Sequence, residues 1–287
     1  MSVMKQVTIR IPASTSNLGP GFDCLGIALQ IYNEVTVARG KRSPSDPMIA
    51  AAAAVFFAGA EMKPFPFACS IRGEVPIARG LGSSVTVRLG VMHGLNELSE
   101  RPLRREQIFR LCASHECHPD NATPASLGGF NVVRADQRHE FSISARLYFV
   151  LWVPDFKVKT GAARRLLPAR VGRAAAVENC GNAAAITAAF ASREYQKLRG
   201  CFTDHLHQPF RKKLVPHFDR IVAAAEEVGA LGAFLSGSGS TVAAITLRSP
   251  ETVSAAMRQA AGPANASVLI TTADNRGARI VATEGSR

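Results

Sequence analysis

Pro76-Ile77-Ala78-Arg79-Gly80-Leu81-Gly82-Ser83-Ser84, followed by Val85, Leu89, Met92 and Leu95, is the stretch on which the fold is decided. The apolar residues after it recur at spacings of three or four, the mark of one buried helix face, so a glycine-rich loop opens a helix here. Unpaired N–H groups and the helix dipole at such a start favour a bound phosphate, and glycines let the backbone come close. No Gly-Lys-[Ser/Thr] closes the loop and no GxGxxG is present, which excludes the Walker and Rossmann phosphate motifs. In isolation the loop reads as an ordinary tight turn. Its two serines add hydroxyls that can ligate Mg²⁺ beside phosphates.

Working outward toward the N-terminus, Phe67 to Ile71 predicts a short strand, Ile49 to Gly59 an alanine-rich helix, and Arg39 to Pro47 a charged loop. Tyr32 to Val37 alternates as a strand does, and so do Val7, Ile9 and Ile11, which run into the polar loop Ser14 to Asp23. Asn17 and Asp23 share that loop with Gly19 and Gly21; they can bind an ammonium or hydroxyl group, or simply form turns. Toward the C-terminus, Ile108, Leu111 and Cys112 predict a helix face ending near His115. Glu116-Cys117-His118-Pro119-Asp120-Asn121 follows, and Glu116 or Asp120 beside a phosphate loop is a candidate Mg²⁺ ligand. Gly128-Gly129 precedes a strand to Val133. A polar run to Arg146 places a boundary near 146, after which Tyr148 to Val153 opens a second unit. That unit is predicted to hold helices at 174–191 and 211–228, a Gly-Ser turn at 235–241 between strands, a helix near 250–260, and strands near 267–272 and 278–282. Helices and strands mix in both halves, which is an α+β pattern.

The whole composition fits this reading. The 287 residues suffice for one large or two medium domains, and 47% apolar with 20% charged residues excludes intrinsic disorder. The longest apolar run, Met48 to Ala60, is shorter than the ~18 to 20 residues of a membrane span. The alternating start predicts no secretory leader, and six cysteines without a CxxC fit a reducing cytoplasm and no zinc ribbon. His115 and His118 lack the HExxH spacing of a helical zinc site, and no GxSxG elbow suggests a serine hydrolase. Thirty-four Lys and Arg against 22 Asp and Glu give a net charge of +12, which steers anions. The basic residues are scattered and aromatics are few, so no nucleic-acid partner is expected, and none in a membrane.

Four segments in order, Pro12 to Asp23, PIARGLGSS, ECHPDNATPASLGG and LSGSGST, resemble the GHMP small-molecule kinases over about Val7 to Val281. Phe22-Asp23 and His118-Pro119-Asp120-Asn121 resemble that superfamily's homoserine kinase branch. The resemblance implies two α+β domains: an ATP-binding one over 1–146, like the second domain of ribosomal protein S5, and a ferredoxin-like one over 147–287. It implies ATP and Mg²⁺ as cofactors, transfer of a phosphoryl group to the hydroxyl of L-homoserine in threonine biosynthesis, and a homodimer as the assembly to look for. The alternatives are a sister kinase with another hydroxylated acceptor such as L-threonine and, on charge and the S5-like domain, a nucleic-acid-binding protein.

Residue by residue, the resemblance gives Pro76, Ile77, Ala78, Arg79, Gly80, Leu81, Gly82, Ser83, Ser84, Val85 and Thr86 to the nucleotide. Ser84 and Glu116 would hold Mg²⁺. Asn17, Asp23, His118, Asn121, Arg164 and Arg211 would bind the amino acid, with Thr160, Asn17 and Arg164 at the reacting groups. Arginine suits a carboxylate because its planar fork makes two parallel hydrogen bonds. The N-terminal motif lacks the lysine of the mevalonate and galactose kinase branches, so positioning is expected to replace a dedicated base.

Overall fold

The computed structural model describes residues 4–116, 119–134 and 137–285, with the side chains of Glu116 and Pro119 outside the description. Strands β1 (Met4–Ser16) and β2 (Leu25–Arg39) form a long antiparallel pair in which Val7 faces Val37 and Ile9 faces Val35. The alternation read from the sequence buries Val7, Ile9 and Ile11 almost completely. Helix α1 (Pro47–Gly59) starts where Asp46 accepts from the N–H groups of Met48 and Ile49 at 2.9 and 3.1 Å, with Pro47 in the first turn. Then follow β3 (Phe67–Gly73), α2 (Ser83–Leu98), α3 (Arg105–Glu116), α4 (Pro119–Leu127) and the hairpin of β4 (Phe130–Arg134) with β5 (Gln137–Phe141).

The second half contains β6 (Tyr148–Pro154), α5 (Thr160–Arg165), α6 (Arg173–Ser192), α7 (Gln208–Arg211), α8 (Phe218–Glu227), β7 (Gly232–Leu235), β8 (Val242–Thr246), α9 (Pro250–Ala261), β9 (Ala266–Thr272) and β10 (Arg279–Gly285). Its sheet runs β7-β8-β6-β9, all antiparallel. With helices crossing between β6 and β7 and between β8 and β9, this is the ferredoxin-like order expected. The first sheet runs β10-β1-β2-β4-β5, and β3 pairs the second half of β2 while β4 pairs the first. The last strand of the chain thus returns to the first sheet, beside β1.

Two local expectations are corrected. The segment after Pro119, to which the sequence reading assigns no element, is helix α4: Pro119 suits a first helical position, and Pro124 near the end bends no longer ladder. The single helix expected over 211–228 is two pieces, because the chain between α7 and α8 runs through Val215-Pro216 and His217 has a φ of 62°.

Three apolar layers hold these elements. Val7, Ile9, Ile11, Val35 and Val37 pack under α1, α2 and α3, and Val150, Trp152, Leu235, Val242 and Ala244 pack under α8 and α9. Between the sheets lies a shared core of Leu25, Ile27, Leu29, Phe130, Phe149, Leu151, Phe190, Phe234 and Ile245, contributed by both halves. Phe130 and Phe190 stack there at 4.3 Å.

Candidate active site

Where the sheets meet, three loops are tied together. Ser14 N–H donates to Leu81 O at 3.2 Å, the Ser236 hydroxyl donates to Gly80 O at 2.7 Å, and Thr241 N–H donates to Arg79 O at 3.1 Å. The hydroxyls of Thr15 and Ser236 share a hydrogen bond of 2.8 Å, and Gly237 N–H donates to Ser16 O at 3.1 Å. LSGSGST, which alone reads as a hairpin turn, therefore reaches across the molecule to floor a cleft of about 620 Å³.

One end of the cleft is the start of α2. Gly82 precedes it with a φ of 69°, and no side chain caps the helix among the described residues. A Cβ at Gly80 would fall on the Ser236 carbonyl oxygen, and one at Gly82 on the Ser14 hydroxyl, so the loop can fold this tightly only with glycine at both. Of the residues assigned to the nucleotide, Ile77, Ala78, Gly80, Gly82, Ser83, Ser84 and Val85 line the cleft. The other expected nucleotide residues do not. Leu81 is fully buried in the shared core, Pro76 lies off the lining, and the Thr86 hydroxyl donates to Ser83 O at 2.8 Å and accepts from Asn33 Nδ2 at 2.8 Å. Arg79 turns away, its Nε donating to Pro154 O at 2.7 Å, so that it fastens the loop to the second sheet. Beside the loop, Met48, Ile71, Val75, Ile77 and Val87 form an apolar slot. Met48, Ile71 and Ile77 are 36%, 42% and 71% exposed, unusual for such side chains. The family resemblance points to the Pro47-Met48 region at the base, but no local signal marks Ile71 or Val87, because strands and helices far apart in the chain bring them together.

At the other end, Asn17 donates from Nδ2 to Gly237 O at 2.9 Å and accepts from Asp23 N–H at 3.1 Å. Arg164 Nη2 donates to both Asp23 carboxylate oxygens at 2.7 and 2.9 Å. Arg211, 2% exposed, donates from Nη1 to Gly237 O at 3.2 Å, and its Nε has no partner among the described residues. Both guanidiniums lie over the Phe22 ring, at 5.3 and 5.0 Å, and Phe22 in turn stacks on His207 at 5.2 Å. Burial, and then the neighbouring charge of Arg164, pulls the Arg211 pKa down to about 10. Burial likewise holds His207 neutral, with Nε2 against Gly19 O at 2.9 Å.

Thr160, at the start of α5, shares a hydrogen bond of 3.3 Å with Ser238, and both line the cleft. Asn121 accepts from the Ser14 hydroxyl and donates to that of Ser16, each at 2.9 Å. His118 lies outside the described residues, as does the Glu116 side chain; the backbone of Glu116 ends α3. Asp120, weighed above only as a metal ligand, lines the same end with Oδ1 buried and without a partner among the described residues. Burial raises its pKa to about 6, against a hydrogen bond from Ser16 and with Asp23 adding to the rise. The described residues contain no cluster of three or more His, Cys, Asp or Glu and no helix long and apolar enough to cross a membrane.

The chain resembles known proteins over nearly its whole length. The family model for the GHMP kinases N terminal domain matches residues 47–129, and that for GHMP kinases C terminal matches 186–264. Homoserine kinase of Caldicellulosiruptor bescii is 35% identical, with 98% of each chain covered, and that of Halothermothrix orenii is 35% identical with 94% of each covered. The crystal structure of homoserine kinase from Cytophaga hutchinsonii superposes with a TM-score of 0.89 over 98% of this chain and 99% of that one, at 24% identity. With the two-domain GHMP kinase fold, both halves of the family pattern and relatives at this identity over full length, the chain belongs to the homoserine kinase family of the GHMP kinases.

Proposed function

We propose that this ATP-dependent kinase phosphorylates the side-chain hydroxyl of L-homoserine, forming O-phospho-L-homoserine on the way to threonine. The observation that carries the reading is the cleft itself: the uncapped start of α2 stands at one end, and two guanidiniums with two carboxylates stand at the other. The first suits polyphosphate and the second a small zwitterion.

In this reading the apolar slot of Met48, Ile71, Val75 and Ile77 takes the nucleotide base, and the backbone from Ala78 to Ser84 takes its phosphates. Arg164 and Arg211 hold the substrate carboxylate. Asp23 and Asn17 receive its ammonium, with Asn121 lining the pocket beside them, and His118 is a further amino-acid ligand on the family resemblance alone. Asp120, with its free buried oxygen, accepts a hydrogen bond from the ammonium or from the reacting hydroxyl. Thr160 steadies the transferred group through its hydroxyl. No residue acts as a dedicated base; phosphoryl transfer passes through a loose transition state, for which positioning and charge neutralisation suffice.

Mg²⁺ takes oxygen ligands and few of them from protein. The Ser84 hydroxyl at the cleft and the buried Asp120 carboxylate are oxygen donors of that kind, and Glu116, whose backbone ends α3, is the further ligand that the family resemblance implies. Bound there, Mg²⁺ supplies positive charge against that developing on the phosphoryl oxygens. We divide the chain at 146/147, with β10 completing the first sheet, and place the activity in the cytoplasm.

The test is ADP release with Mg²⁺·ATP against L-homoserine, L-threonine, L-serine and mevalonate side by side. L-Homoserine is expected to give the highest kcat/KM. Preference for another acceptor would keep the kinase and discard the substrate, and absence of acceptor-dependent ADP would overturn both.

A further inference from the structure

A second cavity, of about 650 Å³, lies away from the cleft, at the far ends of elements that lead to it. Helix α2 begins at the cleft with Ser83 and reaches this cavity with His93 and Asn96, about 20 Å further along at ~1.5 Å per residue. Helix α3 begins beside it with Arg105, and Ile9 of β1 and Ile280 of β10 line it from the first sheet. One wall is held in place by Asn96, 4% exposed, which donates from Nδ2 to Leu103 O and accepts from Leu103 N–H, each at 3.0 Å, and so folds the chain after α2 back against that helix. Arg101, Arg104, Arg105 and Arg279 line the cavity against the single carboxylate of Glu97. Arg101 pairs with Glu97 at 2.8 Å and Arg279 with Asp274 at 2.9 Å. Arg104 and Arg105 have only neutral hydrogen-bond partners among the described residues: Gln107 Oε1 at 3.4 Å for the first, the carbonyls of Ser126 and Arg276 for the second. His93 adds a ring whose Nε2 is shut from water and without a partner among the described residues. Burial, and then the charge of Arg105, pulls its pKa down to about 4.

We propose that this cavity is a second anion site, which takes a small phosphomonoester with an apolar body. Guanidinium forks suit phosphate oxygens, and Arg104 and Arg105 stand side by side at the start of α3, where the helix dipole also favours negative charge. A phosphate dianion would give both arginines the charged partner that the chain does not supply, and would offset the charge that Arg105 sets against His93. The carbon part of the ligand meets Ile9, Leu103 and Ile108, with Ile280, 39% exposed, beside them. Covering that apolar surface adds affinity that inorganic phosphate cannot have. The site stands apart from the homoserine reading of the cleft, and the loss of either leaves the other in place.

The cleft also suits phosphates, so it is first filled with Mg²⁺·AMP-PNP, and uptake of phenyl phosphate by the loaded protein is then measured by equilibrium dialysis. One equivalent is expected to bind, about ten-fold more tightly than inorganic phosphate. Arg104→Gln and Arg105→Gln are each expected to raise the Kd about ten-fold or more. Arg211→Ala, in the cleft, is expected to leave it unchanged. No uptake by the loaded protein, or a Kd unchanged in Arg104→Gln, overturns the site. A Kd raised by Arg211→Ala places the probe in the cleft and overturns it equally, and inorganic phosphate binding as tightly as phenyl phosphate overturns the apolar body. Arg105 also ties α3 to two backbone carbonyls, so should Arg105→Gln lack a cooperative thermal transition, the exposed Arg104 decides through Arg104→Gln by the same rule.

Discussion

Arg211 carries a positive charge in a nearly closed site, with another guanidinium against the same aromatic ring. Its lowered pKa reports burial and that repulsion, both of which a bound carboxylate relieves. Arg211→Ala is expected to weaken L-homoserine binding by about 1.5 to 3 kcal/mol, roughly ten- to a hundred-fold in KM; a KM within two-fold of wild type would remove Arg211 from the pocket. Phe22→Leu keeps the apolar contact and loses the ring face, so the KM for L-homoserine should rise a few-fold, in line with a cation–π contribution of ~0.5 to 2 kcal/mol, with the melting temperature nearly kept. Asp120 gives a pH signature. Its pKa rises on folding from 3.8 to about 6, so the folded state holds the extra proton in that window and stability falls as pH rises through it. In thermal melts without ligands, Asp120→Asn should therefore gain on wild type between about pH 4 and 7; parallel curves would contradict the burial of this carboxylate. In the sequence Arg211 is one arginine among many, and only the family resemblance picked it out. Asp120 sits in a motif that was legible, but its burial comes from α4 packing on the first sheet, which spacing does not reveal.

At the scale of elements, the phosphate end depends on the turn into α2. Gly82 there has positive φ and no room for a Cβ. Gly82→Ala is expected to cost about 1 to 2 kcal/mol from backbone conformation alone. The melting temperature should drop and the KM for ATP should rise more than that for L-homoserine. Equal changes in the two would place the loop away from the nucleotide. This helix and its loop were readable because an amphipathic period and a glycine pair are both local signals. The strands Val7 to Ile11 and Tyr148 to Val153 were readable for the same reason. Helix α4 was not, because Pro124 stands inside it, and the break between α7 and α8 was not, because the apolar spacing runs on across His217. Arg79 shows a subtler limit. Its place in the loop was correct, while its side chain serves the join to Pro154, a partner supplied by the second sheet.

Across the whole molecule, one core joins the two sheets, and the last strand belongs to the first of them. The halves should therefore unfold together. Trp152, the single tryptophan, lies under α8 and α9, so its fluorescence reports the second sheet alone. Denaturation followed by Trp152 fluorescence and by far-ultraviolet circular dichroism should coincide, and Phe190→Ala, at about 3 to 5 kcal/mol, should shift both curves equally. Separate transitions would mean that the shared core couples the sheets weakly. A pattern of strands and helices in each half makes two units legible, but the return of β10 depends on a pairing about 270 residues away in sequence, beyond any local signal. The central claim, phosphoryl transfer to a homoserine hydroxyl in this cleft, is tested most directly by phosphorus NMR of the protein with Mg²⁺·ATP and L-homoserine. The account predicts a new phosphomonoester signal coupled to methylene protons, growing in step with ADP. Release of inorganic phosphate alone, or no consumption of ATP, would contradict it.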